Sequence, residues 1–240
     1  MTDIDYKSPM YLQLREIVRD RIEDGEYPPG AAIPSENDLA DTYGINRLTV
    51  RNAIDTLVKE GLLKRVHGKG VYVVGKKVER DLNHLEGFTR IMLDKKAMPT
   101  PQIVTKAVRA AGGRYASLFG IAPADEVYYV KRVDYADDEP CSLEEILVPK
   151  YVVPKLEGID LSVFSLYEVY GFYGIGVARV EQTMELTTLE QSDARTLGIS
   201  VDYPVLRFSS TTYDEGGRVI EFTRNYSRAD KCSFTVHFTL

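Results

Sequence analysis

The stretch Asn46-Arg47-Leu48-Thr49-Val50-Arg51-Asn52-Ala53-Ile54-Asp55-Thr56-Leu57-Val58-Lys59-Glu60 decides how the chain is read. Val50, Ala53, Ile54, Leu57 and Val58 recur at helical spacing and form one buried stripe, which leaves Arg47, Arg51, Asn52, Asp55 and Lys59 outside. Arg47 and Arg51 share an exposed face in the first turns. A guanidinium fork matches the O6/N7 edge of guanine, so the pattern predicts a helix that lays its first turns in the major groove of DNA. Amphipathic helices with two arginines are common, and the flanking sequence has to carry the reading.

Working outward, Ser8-Pro9 opens a first helix, with Ser8 as N-cap and Pro9 at the first helical position, where its missing N–H costs nothing. Met10, Leu14, Ile17, Val18 and Ile22 give its stripe, and Gly25 ends it. After the rigid loop Tyr27-Pro28-Pro29-Gly30, Ser35 caps a second helix with Asp38 in a capping-box position. Leu39, Ala40 and Tyr43 face inward and Gly44 closes that helix. Gly44-Ile45-Asn46 is a short turn, and Asn46 can cap the helix above, so the two are joined as a helix-turn-helix. Gly61 stops the second of them. Leu62–Val66, the glycine turn His67-Gly68-Lys69-Gly70 and Val71–Val74 then read as a hairpin, a wing whose tip carries Lys69 toward a phosphate or a groove floor.

Composition is that of a globular chain: 240 residues, 44% hydrophobic and 28% charged. No apolar run approaches a membrane span and Met1-Thr2-Asp3-Ile4-Asp5 lacks the parts of a signal peptide, so a cytoplasmic protein with no membrane association is expected. Cys141 and Cys232 lie far apart and away from any His cluster, and read as packing residues rather than a disulfide or metal site. No cofactor is expected. The net charge of −6 conceals a basic stretch. Between Tyr43 and Lys77 the cations Arg47, Arg51, Lys59, Lys64, Arg65, Lys69, Lys76 and Lys77 face only Asp55 and Glu60. Local charge is what phosphates meet, because distant charges are screened beyond about 8 Å at physiological salt.

From Pro9 to Val74 the chain resembles the GntR family of bacterial transcription regulators. The matches are Met10-Tyr11-Leu12-Gln13-Leu14, Pro29-Gly30, Ile33-Pro34-Ser35-Glu36, Leu39-Ala40, Arg47-Leu48-Thr49-Val50-Arg51, Leu57 to Leu62 and Gly68-Lys69-Gly70. The resemblance implies that Ser35, Glu36, Arg47, Thr49, Arg51 and the wing residues His67, Gly68, Lys69 and Gly70 sit at the DNA surface. Two positions depart from the family: Asn46 stands where Ser is usual, and Val71 where Thr is usual. Asn46 still caps, whereas Val71 gives up a hydroxyl that could meet a phosphate.

Polar Gly75–Asp81 separates two parts, giving a winged helix-turn-helix over 1–75, a linker over 76–81 and a second domain over 82–240. In the second part, Leu85–Lys96 reads as a helix, with Gly87-Phe88-Thr89 near its start. Gln102–Val108, Val127–Tyr135, Cys141–Leu147, Gly174–Leu186, Pro204–Asp214, Arg218–Ser227 and Phe234–Leu240 read as strands, largely joined by tight turns. Short helices are expected at Ala116–Phe119, Leu161–Tyr170 and Ser192–Leu197. This pattern is an antiparallel sheet with helices packed on it, an α+β domain. It resembles the UTRA ligand-sensing domain of the HutC subgroup of GntR regulators, whose fold is similar to that of chorismate lyase. The marks are Phe88-Thr89, Arg132 with Asp137 and Pro140, Glu144 with Pro149, Ser165-Leu166-Tyr167, Ala194 with Leu197-Gly198, Pro204-Val205-Leu206, Glu221, and Tyr226 with Arg228 and Asp230. By resemblance Thr89, Arg132, Glu144, Ser165, Arg179, Glu221 and Tyr226 line an effector pocket.

The combined expectation is a homodimeric repressor that binds a pseudo-palindromic double-stranded DNA operator under the control of a small metabolite. The competing reading is an enzyme built on the chorismate-lyase-like half, with Glu144 and Glu221 as an acid/base pair. It lacks a nucleophile beside a base, a metal-ligand cluster and a phosphate-cradling loop. One departure bears on the effector. Relatives that sense sugar phosphates often carry a second Arg where this chain has Asp134, and strand alternation puts Asp134 on the same face as Arg132. An acid beside the clamp repels a phosphate and competes for the Arg132 fork, which predicts an effector less anionic than a sugar phosphate unless Arg179 compensates.

Overall fold

A computed structural model, which describes residues 9–74, 100–136 and 139–232, turns the N-terminal signals into three helices and a hairpin. Helix α1 (Met10–Glu23) starts one residue later than the Ser-Pro pair suggests: Pro9 is its N-cap, and its carbonyl accepts from the Leu12 and Gln13 N–H groups at 2.9 and 3.3 Å. Ser8 lies outside the described residues. Helix α2 (Glu36–Tyr43) opens with the expected capping box, Asp38 N donating to Ser35 Oγ at 3.2 Å and Ser35 N to Asp38 Oδ2 at 3.1 Å. It closes on Gly44 at φ +62°, a left-handed conformation that glycine adopts without a Cβ penalty. Helix α3 (Arg47–Lys59) is capped by Asn46, whose Oδ1 accepts from Thr49 N at 2.8 Å.

The periodic residues of these helices meet in one core. Leu14, Val18, Leu39, Val50, Ala53, Ile54 and Leu57 are buried with Ile33, Leu63, Val71 and Val73. Leu57 is fully buried, and its truncation to Ala would cost roughly 2–5 kcal/mol. Strands β1 (Leu63–Val66) and β2 (Gly70–Val73) pair antiparallel as the wing. Ile33 N and Val73 N add bonds to Val71 O and Ala31 O, both at 2.9 Å, and these fasten the hairpin to the segment before α2.

The remaining elements are β3 (Thr100–Ala110), α4 (Gly112–Phe119), β4 (Glu126–Ala136), β5 (Glu139–Pro149), α5 (Leu166–Phe172), β6 (Val177–Thr187), α6 (Gln191–Thr196), β7 (Val205–Asp214) and β8 (Val219–Arg228). The strands form one antiparallel sheet in the order β3-β4-β5-β8-β7-β6. Helix α5 starts later than the periodicity implied. Leu161–Phe164 is a turn because Ser162 N is drawn back to Asp160 Oδ1 at 2.8 Å, and Ser165 with Glu168 forms a capping box that fixes the first helical turn.

The described residues divide into two compact units, one formed by the winged helix-turn-helix with Gly158–Ile175, the other by the sheet with α4 and α6. A boundary drawn along the sequence at 76–81 does not convey that Gly158–Ile175 groups with the N-terminal unit. The linker, the helix expected over Leu85–Lys96, Thr89 and the strand expected over Phe234–Leu240 lie outside the described residues.

Side chains opposite one another in the ladders share a face of the sheet. One face carries Val127, Val133, Leu143, Leu147, Phe222 and Tyr226. There α4 packs through Ala116 and Phe119, and α6 with its flanks through Leu189, Ala194 and Leu197. The other face is where the sheet departs from ordinary packing.

Candidate DNA-reading face and polar sheet face

In the first unit, the exposed side of α3 gathers around one carboxylate. Glu36 Oε2 accepts from Arg47 Nε at 3.2 Å and from Arg51 Nη2 at 3.2 Å, and Glu36 Oε1 from Arg65 Nη1 at 2.7 Å. Burial alone would push the Glu36 carboxyl up; hydrogen bonds from Arg65, Arg51 and Arg47 win and hold it down at about 2. The three arginines stay largely exposed, at 60%, 49% and 39% for Arg47, Arg51 and Arg65, so solvent-screened pairs hold them in place without consuming them. Arg65 also reaches Asp55 at 2.8 Å, which ties the wing to the middle of α3. Ser35 and Thr49 both serve caps, Thr49 Oγ1 donating to Asn46 Oδ1 at 3.0 Å.

Two residues of this surface escaped the sequence reading. Leu48 is 66% exposed beside Arg47, an apolar side chain suited to a thymine methyl. The available signal was its position off the buried stripe. In the sequence Arg65 is one cation of the basic stretch, because nothing local shows that β1 brings it to Glu36. At the wing tip, His67, Gly68, Lys69 and Gly70 are exposed. Gly68 and Gly70 have φ of +72° and +119°, and a Cβ on either would meet nothing within 4 Å. The turn conformation rather than crowding is therefore what requires glycine here. Lys69 Nζ donates to Ser162 Oγ at 2.8 Å.

In the second unit, the face opposite α4 and α6 presents a polar row. Register places Arg132, Glu144 and Asn225 abreast on β4, β5 and β8, and Asp134, Ser142 and Ser227 abreast beside them. Thr223, Ser210, Glu221 and Thr212 continue the same face toward β7. Ser142, Ser210, Thr212, Glu221, Thr223, Asn225 and Ser227 are all buried. Polar groups this deep need partners. Arg132 Nε donates to Glu144 Oε2 at 2.7 Å, Ser142 Oγ to Asp134 Oδ2 at 2.9 Å, and Ser227 Oγ to Asn225 Oδ1 at 2.6 Å. Burial pushes the Glu144 carboxyl up against the pull of Arg132, and Asp134 adds to the push. Burial opposes the Arg132 charge, but Glu144, Asp134 and Glu221 together keep it firmly protonated.

The structure thus brings Arg132, Asp134, Glu144 and Glu221 onto one face. Two other expected pocket residues do not share it. Tyr226 stands opposite Leu143 and packs in the α6 cluster, because strand alternation turns it away from Asn225. Arg179 pairs with Tyr213 on the far side of its strand from Val180 and Thr212; it stacks 3.9 Å over the Tyr213 ring and bonds to exposed Glu181. It therefore does not compensate for Asp134. Ser165 belongs to the first unit, where its hydroxyl caps α5. Cys141 and Cys232 are buried free thiols, as packing residues would be, but they are not isolated in space: Cys232 Sγ approaches Cys141 O at 3.7 Å.

A winged helix-turn-helix with an arginine-bearing third helix, accompanied by an antiparallel sheet with a buried polar face, defines a DNA-binding regulator of two parts. The gntR family of bacterial regulatory proteins matches residues 10–73, and the UTRA domain matches residues 95–233. The chain belongs to the GntR family, in the HutC subgroup that carries a UTRA domain. It is 31% identical to the HTH-type transcriptional repressor NagR of Bacillus subtilis, over 96% of this chain and 94% of that protein. It is 30% identical to the mannosyl-D-glycerate transport/metabolism system repressor MngR of Escherichia coli, over 95% of each. Among solved structures, PhnF from Mycobacterium smegmatis shares the fold with a TM-score of 0.60 at 23% identity, over 94% of this chain and 98% of that one. Among the described residues no helix is long and apolar enough to cross a membrane.

Proposed function

We propose that this transcription regulator is a homodimeric repressor whose hold on a two-fold operator changes when a sugar or sugar-related metabolite occupies the polar face of the sheet. The observation that carries the reading is that face itself: a row of buried Ser, Thr, Asn and Glu side chains beside the partly exposed Arg132–Glu144 pair, where a packing surface would be apolar. Hydroxyl-rich ligands are held by such groups. The repressor role is supported by the names of NagR and MngR, and the sugar class by the mannosyl-D-glycerate system that MngR is named for and by the 27% identical probable fructoselysine utilization operon transcriptional repressor of Escherichia coli. Dimer formation is supported by β6, which ends the described sheet with Met184 and Leu186 at 61% and 70% exposure.

The charges narrow the ligand further. Arg132 is committed to Glu144 and flanked by Asp134 and Glu221, so the face presents more carboxylate than guanidinium. A dianionic phosphate finds no uncommitted clamp there. A neutral or amine-bearing sugar, or a zwitterion, meets acceptors for its hydroxyl or ammonium groups. The test is a thermal-shift screen of sugars, sugar phosphates and amino acids, followed by operator binding with each hit. A ligand at 100 times its Kd raises stability by roughly 2.7 kcal/mol. Hits that leave operator affinity unchanged would contradict the regulatory role, and hits recovered chemically altered would favour an enzyme.

A further inference from the structure

The wing tip is already engaged, and by a part of its own chain. Lys69 Nζ, the cation expected to meet a DNA phosphate, donates to Ser162 Oγ at 2.8 Å, with Ser162 O at 3.4 Å. The Ser162 hydroxyl donates in turn to Asp160, so its lone pairs face Lys69. Tyr72 of β2 donates to the same carboxylate at 3.3 Å. Burial would raise the Asp160 carboxyl, but bonds from Ser162 and the nearby Lys69 charge hold it below the usual range. Lys64 of β1 is occupied as well, 5.2 Å above the Phe164 ring and 3.9 Å from Glu168. Apolar contacts seal the same junction: Phe164 meets Tyr72 edge-on at 5.9 Å, and a Cβ on Gly30 would come within 2.8 Å of Ile159.

We propose that Gly158–Ile175 is an internal competitor of the DNA backbone, a docking surface for the wing that offers Lys69 and Lys64 the oxygen and carboxylate partners they would otherwise find on phosphates. An ammonium donating to an anion-backed hydroxyl makes the kind of bond a phosphate oxygen would accept. Arg47 and Arg51 bond to Glu36, whereas Lys69 and Lys64, also exposed, have their partners on the segment. Base reading and backbone contact are therefore separable, and full contact requires the segment to let go. Capture by the segment lowers the apparent affinity in proportion to the fraction of molecules in which the wing is free.

The proposal rests on the wing meeting DNA, and the experiment separates the two. Fluorescence anisotropy of the full chain on a random-sequence DNA duplex, without any metabolite, is compared for wild type, Lys69→Ala, Ser162→Ala and the double variant. Ser162→Ala is expected to tighten binding about three- to tenfold, since it removes one bond to a charged group. Lys69→Ala weakens binding, and in its background Ser162→Ala brings no gain. An unchanged affinity for Ser162→Ala, with Lys69→Ala still weakened, overturns the competitor and leaves the wing reading standing. No effect of Lys69→Ala overturns both. Amide hydrogen exchange of wild-type protein provides a readout that needs no variant: residues 160–172 lose protection on saturation with the duplex, and unchanged protection there overturns the proposal.

Discussion

Two of the arginine–carboxylate groupings among the described residues differ in how far water reaches their arginines, one on the exposed side of α3 and one on the sheet. Glu36, itself only 9% exposed, gathers Arg47, Arg51 and Arg65, whose own side chains are 39–60% exposed, so water screens each pair from the arginine side and each link contributes about 0–1 kcal/mol. Arg132 and Glu144 form the same chemical pair with both side chains about one-sixth exposed or less. There the desolvated charges depend on each other, and neither is available to an incoming anion. Identical residue types thus give a set of exposed cations in one place and a mutually neutralising pair in the other. Solvent, rather than residue identity, decides which.

The sharpest way to break this contrast is to remove one partner from each grouping. Arg132→Ala strands a buried carboxylate and should lower unfolding stability at neutral pH by about 3–5 kcal/mol in urea denaturation. Replacing Glu144 with Leu in the same protein should restore much of the loss. A cost near zero for the single variant would mean the pair is as exposed as the Glu36 group. Arg51→Ala should leave stability within about 0.5 kcal/mol while costing roughly 1–3 kcal/mol of operator binding per half-site. Unchanged operator affinity would contradict the orientation of α3.

Acid sharpens the comparison. Glu36 is held at about 2, below its unfolded value, so its contribution is complete above the ordinary carboxylate range and lost as pH falls toward that value. After allowance for screening of the exposed arginines, wild type should lose on the order of 1–2 kcal/mol from this group between about pH 5 and pH 2. Glu36→Gln should lack that component of the acid-unfolding curve, and superimposable curves would show that the pairs contribute nothing. The smallest effect is expected at the wing. Lys69→Ala should reduce the slope of log K against log salt by about one, equally for all sequences. A changed base preference with an unaltered slope would move Lys69 from the backbone to the bases.

How far the sequence disclosed each grouping follows from the range of the forces involved. The helix-turn-helix is set by local signals, the Ser35–Asp38 box, the Asn46 cap and a stripe of period 3.6, so its elements were legible to within a residue or so. Sheet strands were legible for the same reason. Which side chains share a sheet face depends on register across the ladders, and bulges at 134/135, 177/179 and 212/213 shift it. Arg132 and Asp134 could be placed together because they lie on one strand. Tyr226 and Arg179 could not, and both turned out to face away. The proximity of Cys141 to Cys232, and of Lys69 to Ser162, joins residues about ninety positions apart, which no local pattern encodes.

The contrast between available and neutralised arginines is tested most directly by calorimetric titration of the full chain with matched pairs, each sugar against its 6-phosphate. The account predicts that the unphosphorylated member of the effective pair binds more tightly, because Glu144 already occupies Arg132 and Asp134 stands where a second cation would be needed. Tighter binding of the phosphate member would contradict it and would show that Arg132 gives up Glu144 as readily as Arg51 gives up Glu36.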